Sequence, residues 1–285
     1  MKNNNIKNIM SNKTIFITGT SSGLGKSSAI YFAQNGWNVA ATMRSPEKEK
    51  ELIYYENIKL FKLDVTNPHE VTDAVNDAID TFGKIDVVLN NAGVGTYGAL
   101  ELIDRTDINK ALDVNVRGVT NVIMEFLPHF RQNSNGMFIN ISSVMGRSAA
   151  LPLGSVYNMT KFALEGLIEG LYVELKPFNI DLRLVEPGGF YSEFVNNTSF
   201  AKGGTITAYD KITKIVEQQM MESTRKADTK KRDVIVKAIF KIATGRNKKF
   251  RTIVGNDAKT ILTLRKILPI RMFLSFLVQS FKINK

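Results

Sequence analysis

The sequence predicts an α/β fold in which one parallel sheet is covered by helices on both faces. Short apolar runs rich in β-branched residues alternate with segments of helical spacing, an order typical of βαβ units. Most of these runs are apolar at nearly every position, as expected of strands that are buried on both faces. Glycine or polar residues follow several of the runs, at the strand ends where ligands bind on such sheets.

Several predicted elements end at a glycine or a proline. The run TIFITG (14–19) ends in glycine, the helix after it stops at Gly36, and the helix over 68–83 also ends in glycine. The helix over 157–175 stops before Pro177, which cannot continue it. The remaining predictions are strands at 37–43, 58–65, 85–93, 136–143, 180–189 and, at the sheet edge, 250–255, and helices at 104–130, 211–226 and 232–243.

The pattern changes near both ends of the chain. Residues 13–255 carry the alternation and are predicted to form a single domain. Residues 1–12 contain no apolar run of the kind found in a signal peptide, and we expect a disordered lead-in there. After residue 190 the periodicity loosens into a long loop, so residues 190–230 are predicted to form a lid. Residues 256–285 are predicted to form a basic amphipathic extension.

The positive charge of the protein is concentrated in its last third. The chain carries a net charge of +11, but residues 202–285 hold 20 Lys and Arg against 6 Asp and Glu, a net +14. Residues 1–201 hold the other 18 against 21, a net −3. A basic face attracts anionic membranes, acidic carrier proteins or nucleic acid, or it is simply a solvated surface. Because no module of clustered basic and aromatic residues accompanies the charge, we predict no nucleic-acid partner.

Several classes of site are excluded by composition. The chain has no cysteine, so disulfides, thiol nucleophiles and cysteine-bound metals are impossible. The lack of cysteine is compatible with a reducing compartment. Its two histidines, His69 and His129, are far apart in sequence. We therefore predict no metal site.

A glycine-rich turn follows the first predicted strand. Gly19, Gly23 and Gly25 open the first helix with a G-x3-G-x-G spacing, which lets the backbone approach a pyrophosphate at a helix N-terminus. A P-loop is one alternative, because Lys and Ser follow Gly25, but position 20 is Thr where that motif requires Gly. A purely structural turn is the other alternative. The spacing favours a dinucleotide site.

The end of the second predicted strand indicates which dinucleotide is bound. Sites for NAD usually place an acid there to bind the ribose hydroxyls, whereas an arginine accommodates the 2′-phosphate of NADP. Thr42 and Met43 end this strand, and Arg44 follows directly. A guanidinium suits a phosphate. We therefore predict NADP(H), with a surface arginine as the alternative interpretation.

The motifs together resemble those of the short-chain dehydrogenase/reductase family over residues 13–255. The segments TGTSSGLG, LDVT, NNAG, VNVRG, NISS, YNMTK and EPGG occur in the order found in that family. The segment VGNDA and the basic end after it are similar to the hydroxysteroid- and retinol-dehydrogenase-like branch. The resemblance implies a Rossmann-type doubly wound sheet, a dinucleotide-binding catalytic domain at 13–255, and a cytoplasmic enzyme that assembles into dimers or tetramers.

The resemblance also implies the catalytic residues. A carbonyl that accepts hydride needs a proton donor beside its oxygen, and Tyr157 corresponds to that donor. The ammonium of Lys161, one helical turn later, is expected to lower the tyrosine pKa from about 10. Ser143, 14 residues before the tyrosine, would orient the substrate oxygen; the neighbouring Ser142 is the competing serine. Asn115 corresponds to an asparagine that holds a water for proton relay.

The expected cofactor-binding residues come from the turn, the strand ends and the catalytic helix. Asp64 and Val65 correspond to the adenine site, residues 91–93 to the adenosine ribose, and residues 187–188 to the nicotinamide, with Ser192 replacing a family threonine. The full set is Gly19, Ser21, Ser22, Gly23, Leu24, Gly25, Arg44, Asp64, Val65, Asn91, Ala92, Gly93, Tyr157, Lys161, Pro187, Gly188 and Ser192.

The segments expected at the substrate end are apolar. Residues 94–100 and 144–154 are rich in small and apolar side chains, and 190–230 contain several aromatics. This composition predicts a hydrophobic ketone or aldehyde and its alcohol. The main alternative is a 3-oxoacyl-carrier-protein-type reductase, whose acidic carrier would bind the basic third. A non-catalytic NADP-sensing protein is the alternative from another class.

The C-terminal extension is predicted to form two amphipathic segments separated at Pro269. Its longest uncharged run, 272–281, has 10 residues, about half of the ~20 needed to span a bilayer. Three roles stay open for it: packing on its own domain or on a dimer partner, lying on a membrane as an interfacial helix, and binding another protein.

Overall fold

The computed structural model describes residues 13–189, 198–201, 206–225 and 229–281. Its strands are β1 (Thr14–Thr18), β2 (Asn38–Met43), β3 (Ile58–Lys62), β4 (Val87–Asn90), β5 (Gly95–Tyr97), β6 (Gly136–Ile141), β7 (Ile180–Pro187), β8 (Thr198–Phe200) and β9 (Arg251–Val254). Seven parallel strands form one sheet in the order β3-β2-β1-β4-β6-β7-β9, and β5 and β8 pair separately, also in parallel.

Helices cover both faces of the large sheet, so the predicted α/β class is confirmed. The helices are α1 (Gly23–Gln34), α2 (Pro68–Phe82), α3 (Arg105–Leu112), α4 (Gly118–Gln132), α5 (Ser155–Glu174), α6 (Asp210–Arg225), α7 (Thr229–Ala243), α8 (Asn256–Ile267) and α9 (Ile270–Ser280). Side chains of α1 and α7 share one apolar cluster with the sheet, and those of α2, α4 and α5 share the other.

The first strand shows why its run is apolar throughout. Successive side chains of a strand point to opposite faces, so Ile15 and Ile17 pack toward α1 and α7 while Phe16 packs toward α2 and α4. All three are fully buried. The Phe16 ring meets Phe126 of α4 edge-on, with ring centroids 4.9 Å apart.

The strand order positions the site. The chain builds β2 and β3 on one side of β1 and then returns to place β4 on the other side. Ile15 consequently has Val39 as its neighbour on one side and Val87 on the other. The connections at the carboxyl ends of β1 and β4 diverge at this reversal and leave a crevice between them.

The structure differs from the predicted elements at several places. The helical region predicted over 104–130 is divided, because a π-helical turn, Asp113–Arg117, joins α3 to α4. The long loop predicted after residue 190 contains β8, whose partner β5 was also not predicted. The expectations for residues 1–12 and for Ser192 lie outside the described residues. Among the helices that the structure describes, none is long and apolar enough to cross a membrane.

Candidate active site

A cavity of about 630 Å³ lies at the carboxyl ends of the central strands. The cavity is lined by the glycine turn after β1, the segments after β3, β4 and β6, and the N-terminal half of α5. The end of β7, side chains of α8 and Phe281, which follows α9, complete the lining. It therefore brings together segments from nearly the whole length of the chain.

Backbone geometry explains the glycines of the first turn. Gly19 and Gly23 adopt φ angles of +72° and +57°, in the left-handed region that favours glycine. A Cβ on Gly25 would lie 2.2 Å from the Gly19 carbonyl oxygen and 2.5 Å from Asn91 Nδ2. Asn91 Nδ2 donates to the carbonyls of Thr18 and Gly19, at 2.9 and 3.1 Å. The amide thus fastens the turn to the end of β4.

The first turn of α1 faces the cavity without a capping side chain. Ser22, the residue before the helix, makes no side-chain hydrogen bond to the first turn within the described residues, and no acidic residue occupies that turn. The helix N-terminus therefore keeps N–H groups and a positive end available to an anion. Ser21, Ser22, Gly23 and Leu24 all line the cavity.

The segments after β2 and β3 form the far end of the cavity. Arg44 is exposed, lines this end, and pairs with no carboxylate in the part of the chain that the structure describes. Asp64 Oδ1 accepts hydrogen bonds from Thr66, from the backbone N at 2.9 Å and from Oγ1 at 2.7 Å. Val65 is buried and accepts from Asn121 Nδ2 at 3.0 Å through its carbonyl.

Asn115 lies in the π-helical turn and is 1% exposed. Its Oδ1 accepts from Val94 N at 2.9 Å, while its Nδ2 donates to the Val94 carbonyl at 2.9 Å and to Thr160 Oγ1 at 3.0 Å. The extra residue of a π turn re-aims a side chain within a helix, often at functional sites. Here it turns the amide toward α5 and the segment after β4.

Ser143, Tyr157 and Lys161 lie together at the inner end of the cavity. The Ser143 side chain is hydrogen-bonded to the Tyr157 hydroxyl and accepts from Met145 N at 3.1 Å. Lys161 Nζ lies 5.7 Å from the centroid of the Tyr157 ring and donates to the Ile141 carbonyl at 2.9 Å. The competing serine, Ser142, lines the cavity, but its buried Oγ has no hydrogen-bond partner in the described structure.

Burial dominates the titration of this pair. It raises the pKa of Tyr157 above its usual value, and the hydrogen bond from Ser143 opposes this only in part. It also lowers the pKa of Lys161 to about 8, against the effect of the Glu165 carboxylate. The expected net lowering of the Tyr157 pKa is therefore not found, because desolvation outweighs the groups that favour the phenolate. Both groups are nearly inaccessible to water, and desolvation disfavours each charged form.

The end of β7 is fixed by a residue that sequence reasoning missed. Gly189 N donates to Asp257 Oδ2 at 2.7 Å, and a Cβ on Gly188 would lie 2.3 Å from the same oxygen. Gly188 N donates to the Val254 carbonyl at 2.9 Å. Asp257 thus anchors the backbone after Pro187 from the first turn of α8. The VGNDA segment was the available signal, because it contains this aspartate.

Aromatic and apolar side chains surround the Tyr157 end. The Tyr97 ring lies 5.6 Å from that of Tyr157 and stacks on Phe200 at 6.2 Å between centroids. Ile261 of α8 and Phe281, which follows α9, line the same cavity. The extension therefore contributes to its wall. Of the aromatics predicted for the lid, Phe190, Tyr191 and Phe194 lie outside the described residues, as does Ser192.

Comparison with known proteins gives consistent matches. A family model described as short chain dehydrogenase matches residues 13–202. The 3-ketodihydrosphingosine reductase of Bacteroides thetaiotaomicron is 34% identical over 248 residues, which cover 86% of this chain and 89% of that protein.

Solved structures agree with the sequence matches. A short-chain dehydrogenase from Streptomyces avermitilis superposes with a TM-score of 0.80 at 28% identity, over 96% of this chain and 98% of that chain. The structure of ElxO with NADP bound gives a TM-score of 0.71 at 28% identity, over 87% and 99% of the two chains.

Proposed function

The chain belongs to the short-chain dehydrogenase/reductase family, and from that premise we propose that it is an NADP(H)-dependent oxidoreductase that interconverts a hydrophobic ketone or aldehyde and its alcohol. One observation carries the proposal: the buried Tyr157 hydroxyl, hydrogen-bonded to Ser143, lies in the same cavity as the glycine turn. A proton donor and a dinucleotide-binding turn in one cavity are what hydride transfer to a carbonyl requires.

The residues present fit a dinucleotide. A side chain at position 25 would fill the turn, and the N-terminus of α1 is uncapped beside it, as expected where a pyrophosphate approaches the backbone. In this proposal residues 19–25 hold the pyrophosphate, Asp64 and Val65 the adenine, residues 91–93 its ribose, and residues 187–188 the nicotinamide. Bound NADP(H) would supply or accept the hydride. Ser192 keeps its proposed role from the sequence alone.

NADP(H) is proposed over NAD(H) because of the end of β2. Arg44 lines the cavity there and is not neutralised by a described carboxylate, so its guanidinium can pair with a 2′-phosphate. The NADP-bound structure of ElxO supports the same choice.

In the proposed mechanism Tyr157 gives its proton to the substrate oxygen. Its raised pKa keeps the phenol protonated at neutral pH, which is the form that carbonyl reduction needs. Ser143 orients the substrate oxygen beside that phenol. Lys161, when charged, offsets the phenolate left after proton transfer. Asn115 would hold a water that relays a proton to Lys161.

The substrate is proposed to be hydrophobic. Tyr97, Met145 and Phe200 pack around the Tyr157 end with few polar groups, and the B. thetaiotaomicron relative is named as a reductase of a 3-keto compound. The test is NADPH oxidation against a panel of apolar ketones, ketosteroids, retinal, acetoacetyl esters and quinones. Turnover of an apolar carbonyl is expected, and no turnover with any of them would refute the proposal.

The arrangement of the chain in the cell is also a proposal. We propose residues 13–255 as the catalytic unit, residues 190–230 as its substrate lid, and residues 256–285 as an extension that closes the cavity and contacts a membrane surface. Exposed apolar side chains on α4 and α5, Met124, Phe162 and Val173, support a homodimer or tetramer. Cytoplasmic placement with peripheral membrane contact is the expectation.

A further inference from the structure

A cluster of charged side chains connects Lys161 to residues that the proposed chemistry does not use. It joins α5 to the last two strands of the sheet. With all groups ionised, its three acidic and three basic members cancel in charge. The cluster consists of Lys161, Glu165 and Glu169 of α5, Glu186 of β7, Arg251 of β9 and Arg147 after β6.

Arg251 is the centre of the cluster. Its Nε lies 2.8 Å from Glu165 Oε2 and 3.1 Å from Glu186 Oε1, and its Nη2 lies 2.6 Å from Glu169 Oε1. Glu186 is fully buried and is also paired with Arg147 Nη1 at 3.2 Å. Burial, reinforced by neighbouring Glu165, raises the pKa of Glu186 to about 6. Arg251, on the edge strand β9, therefore holds the Glu165 carboxylate in place.

Glu165 follows Lys161 by one helical turn, and each is 5% exposed. Within the described part of the chain, Lys161 Nζ donates to a neutral carbonyl, that of Ile141, and to no carboxylate. The charged group that favours its ammonium is the Glu165 carboxylate. Tyr157 is the other titratable group beside it. Glu165 Oε1 is buried and has no hydrogen-bond partner in the described part of the chain.

We propose that Glu165, held in place by Arg251, is a positioning residue that keeps the buried Lys161 ammonium charged beside Tyr157. An opposite charge nearby offsets the cost of burying an ammonium. Arg251 in turn fixes the direction of the Glu165 carboxylate. The inference rests on the proposed function, in which the charge of Lys161 offsets the tyrosine phenolate.

The test is the titration of Lys161 in the full-length protein, followed by NMR of ¹³Cε-labelled lysine. The Lys161 signal is identified by its loss in Lys161→Met. In Glu165→Gln, which keeps the shape of the side chain, the Lys161 midpoint is expected to fall by about one pH unit. Glu169→Gln is the matched control, because Glu169 also pairs with Arg251 but is exposed. The Lys161 midpoint in this variant should equal that of the wild type. An unchanged midpoint in Glu165→Gln would overturn the proposal.

A second variant covers the case in which Glu165→Gln does not fold. Glu165→Gln combined with Arg251→Gln removes both charges of the pair, so neither is left buried without its partner. The Lys161 midpoint must fall in this protein too, and a wild-type midpoint would again overturn the inference.

Activity gives an independent readout. The pH above which kcat for carbonyl reduction declines should be lower in Glu165→Gln and unchanged in Glu169→Gln. In Glu165→Asp, which keeps a carboxylate, the decline should return to the wild-type pH. An identical decline in all variants would count against the positioning role. If the wild type reduces no carbonyl, the proposed function fails, whereas the NMR titration still decides the role of Glu165.

Discussion

The Tyr157 hydroxyl is the single group on which the proposed chemistry depends. Tyr157→Phe keeps the ring that packs 5.6 Å from Tyr97 but removes the proton donor. NADPH-dependent carbonyl reduction is expected to fall at least ~100-fold, because general acid catalysis contributes at least that much, with little change in the KM for NADPH.

Tyr97→Phe is the matched control for that variant. Tyr97 is a buried tyrosine of the same cluster, and its hydroxyl contacts Met145 Sδ at 3.8 Å. Its loss should leave most of the activity. A Tyr157→Phe enzyme with a near-normal rate would show that another group donates the proton.

Arg44 is expected to determine which cofactor is used. Arg44→Ala should raise the KM for NADPH by about 10- to 100-fold, the range of a charge-assisted hydrogen bond, and should leave the KM for NADH nearly unchanged. Initial rates with each cofactor measure this. Lys48→Ala, a change at another exposed cation of the following turn, controls for general charge. Equal losses with both cofactors would contradict the assignment.

Residues within one motif could be placed from sequence, whereas contacts between distant segments could not. Tyr157 and Lys161 share one face of a helix by their spacing alone. The hydrogen bond from Gly189 N to Asp257 joins positions 68 apart, and the one from Arg251 to Glu165 joins positions 86 apart. The raised pKa of Tyr157 was likewise unpredictable, because it depends on how completely the folded chain buries the ring.

Among elements, the sheet was predictable and the breaks in regularity were not. Continuous apolar runs identify the buried strands, but β5 and β8 are three residues each and pair only in the folded state, Gly95 with Thr198. The π turn between α3 and α4 is equally hidden, because five residues do not alter the periodicity of a long helical segment.

Helix α9 is the element expected to meet a membrane. It buries Phe273 and Leu277 against the protein, yet Met272 and Phe276 are 58% and 43% exposed. Exposed apolar side chains in a segment that also carries Arg265, Lys266 and Arg271 fit an interfacial helix. Full-length protein is therefore expected to float with vesicles that contain anionic lipid, and Met272→Ser with Phe276→Ser should reduce the bound fraction several-fold.

Point substitutions test α9 more cleanly than a truncation does. Removing residues 258–285 would also remove Leu262, which is buried in the cluster that contains Tyr157. Val173→Ser, at a 74% exposed position of α5, is the control for a lost apolar surface residue and should bind vesicles normally. Equal flotation of all three proteins would exclude the membrane role of α9.

For the whole molecule, the buried ionisable groups of the site lower the free energy of unfolding. Burial disfavours the charged forms of Lys161, which lines the cavity, and of Glu186, which precedes the lining residue Pro187. Such groups lower the free energy of unfolding at the pH where they must ionise. Active sites commonly retain this kind of cost because function requires it.

Lys161→Met should therefore yield a more stable and inactive protein. Burial lowers the pKa of Lys161 from 10.5 to about 8, so between these values the unfolded chain binds more protons than the native one. The free energy of unfolding of the wild type must rise with pH through that window.

Methionine removes the cost of the buried ammonium, so at pH 7 the variant should be more stable by about 1 to 2 kcal/mol after the lost hydrogen bond is subtracted. Its stability should rise less between pH 8 and 10.5. Urea denaturation at several pH values measures both effects, with exposed Lys48→Met as the control. A variant no more stable than the wild type at pH 7, with the same pH dependence, would show that Lys161 is not destabilised by its burial.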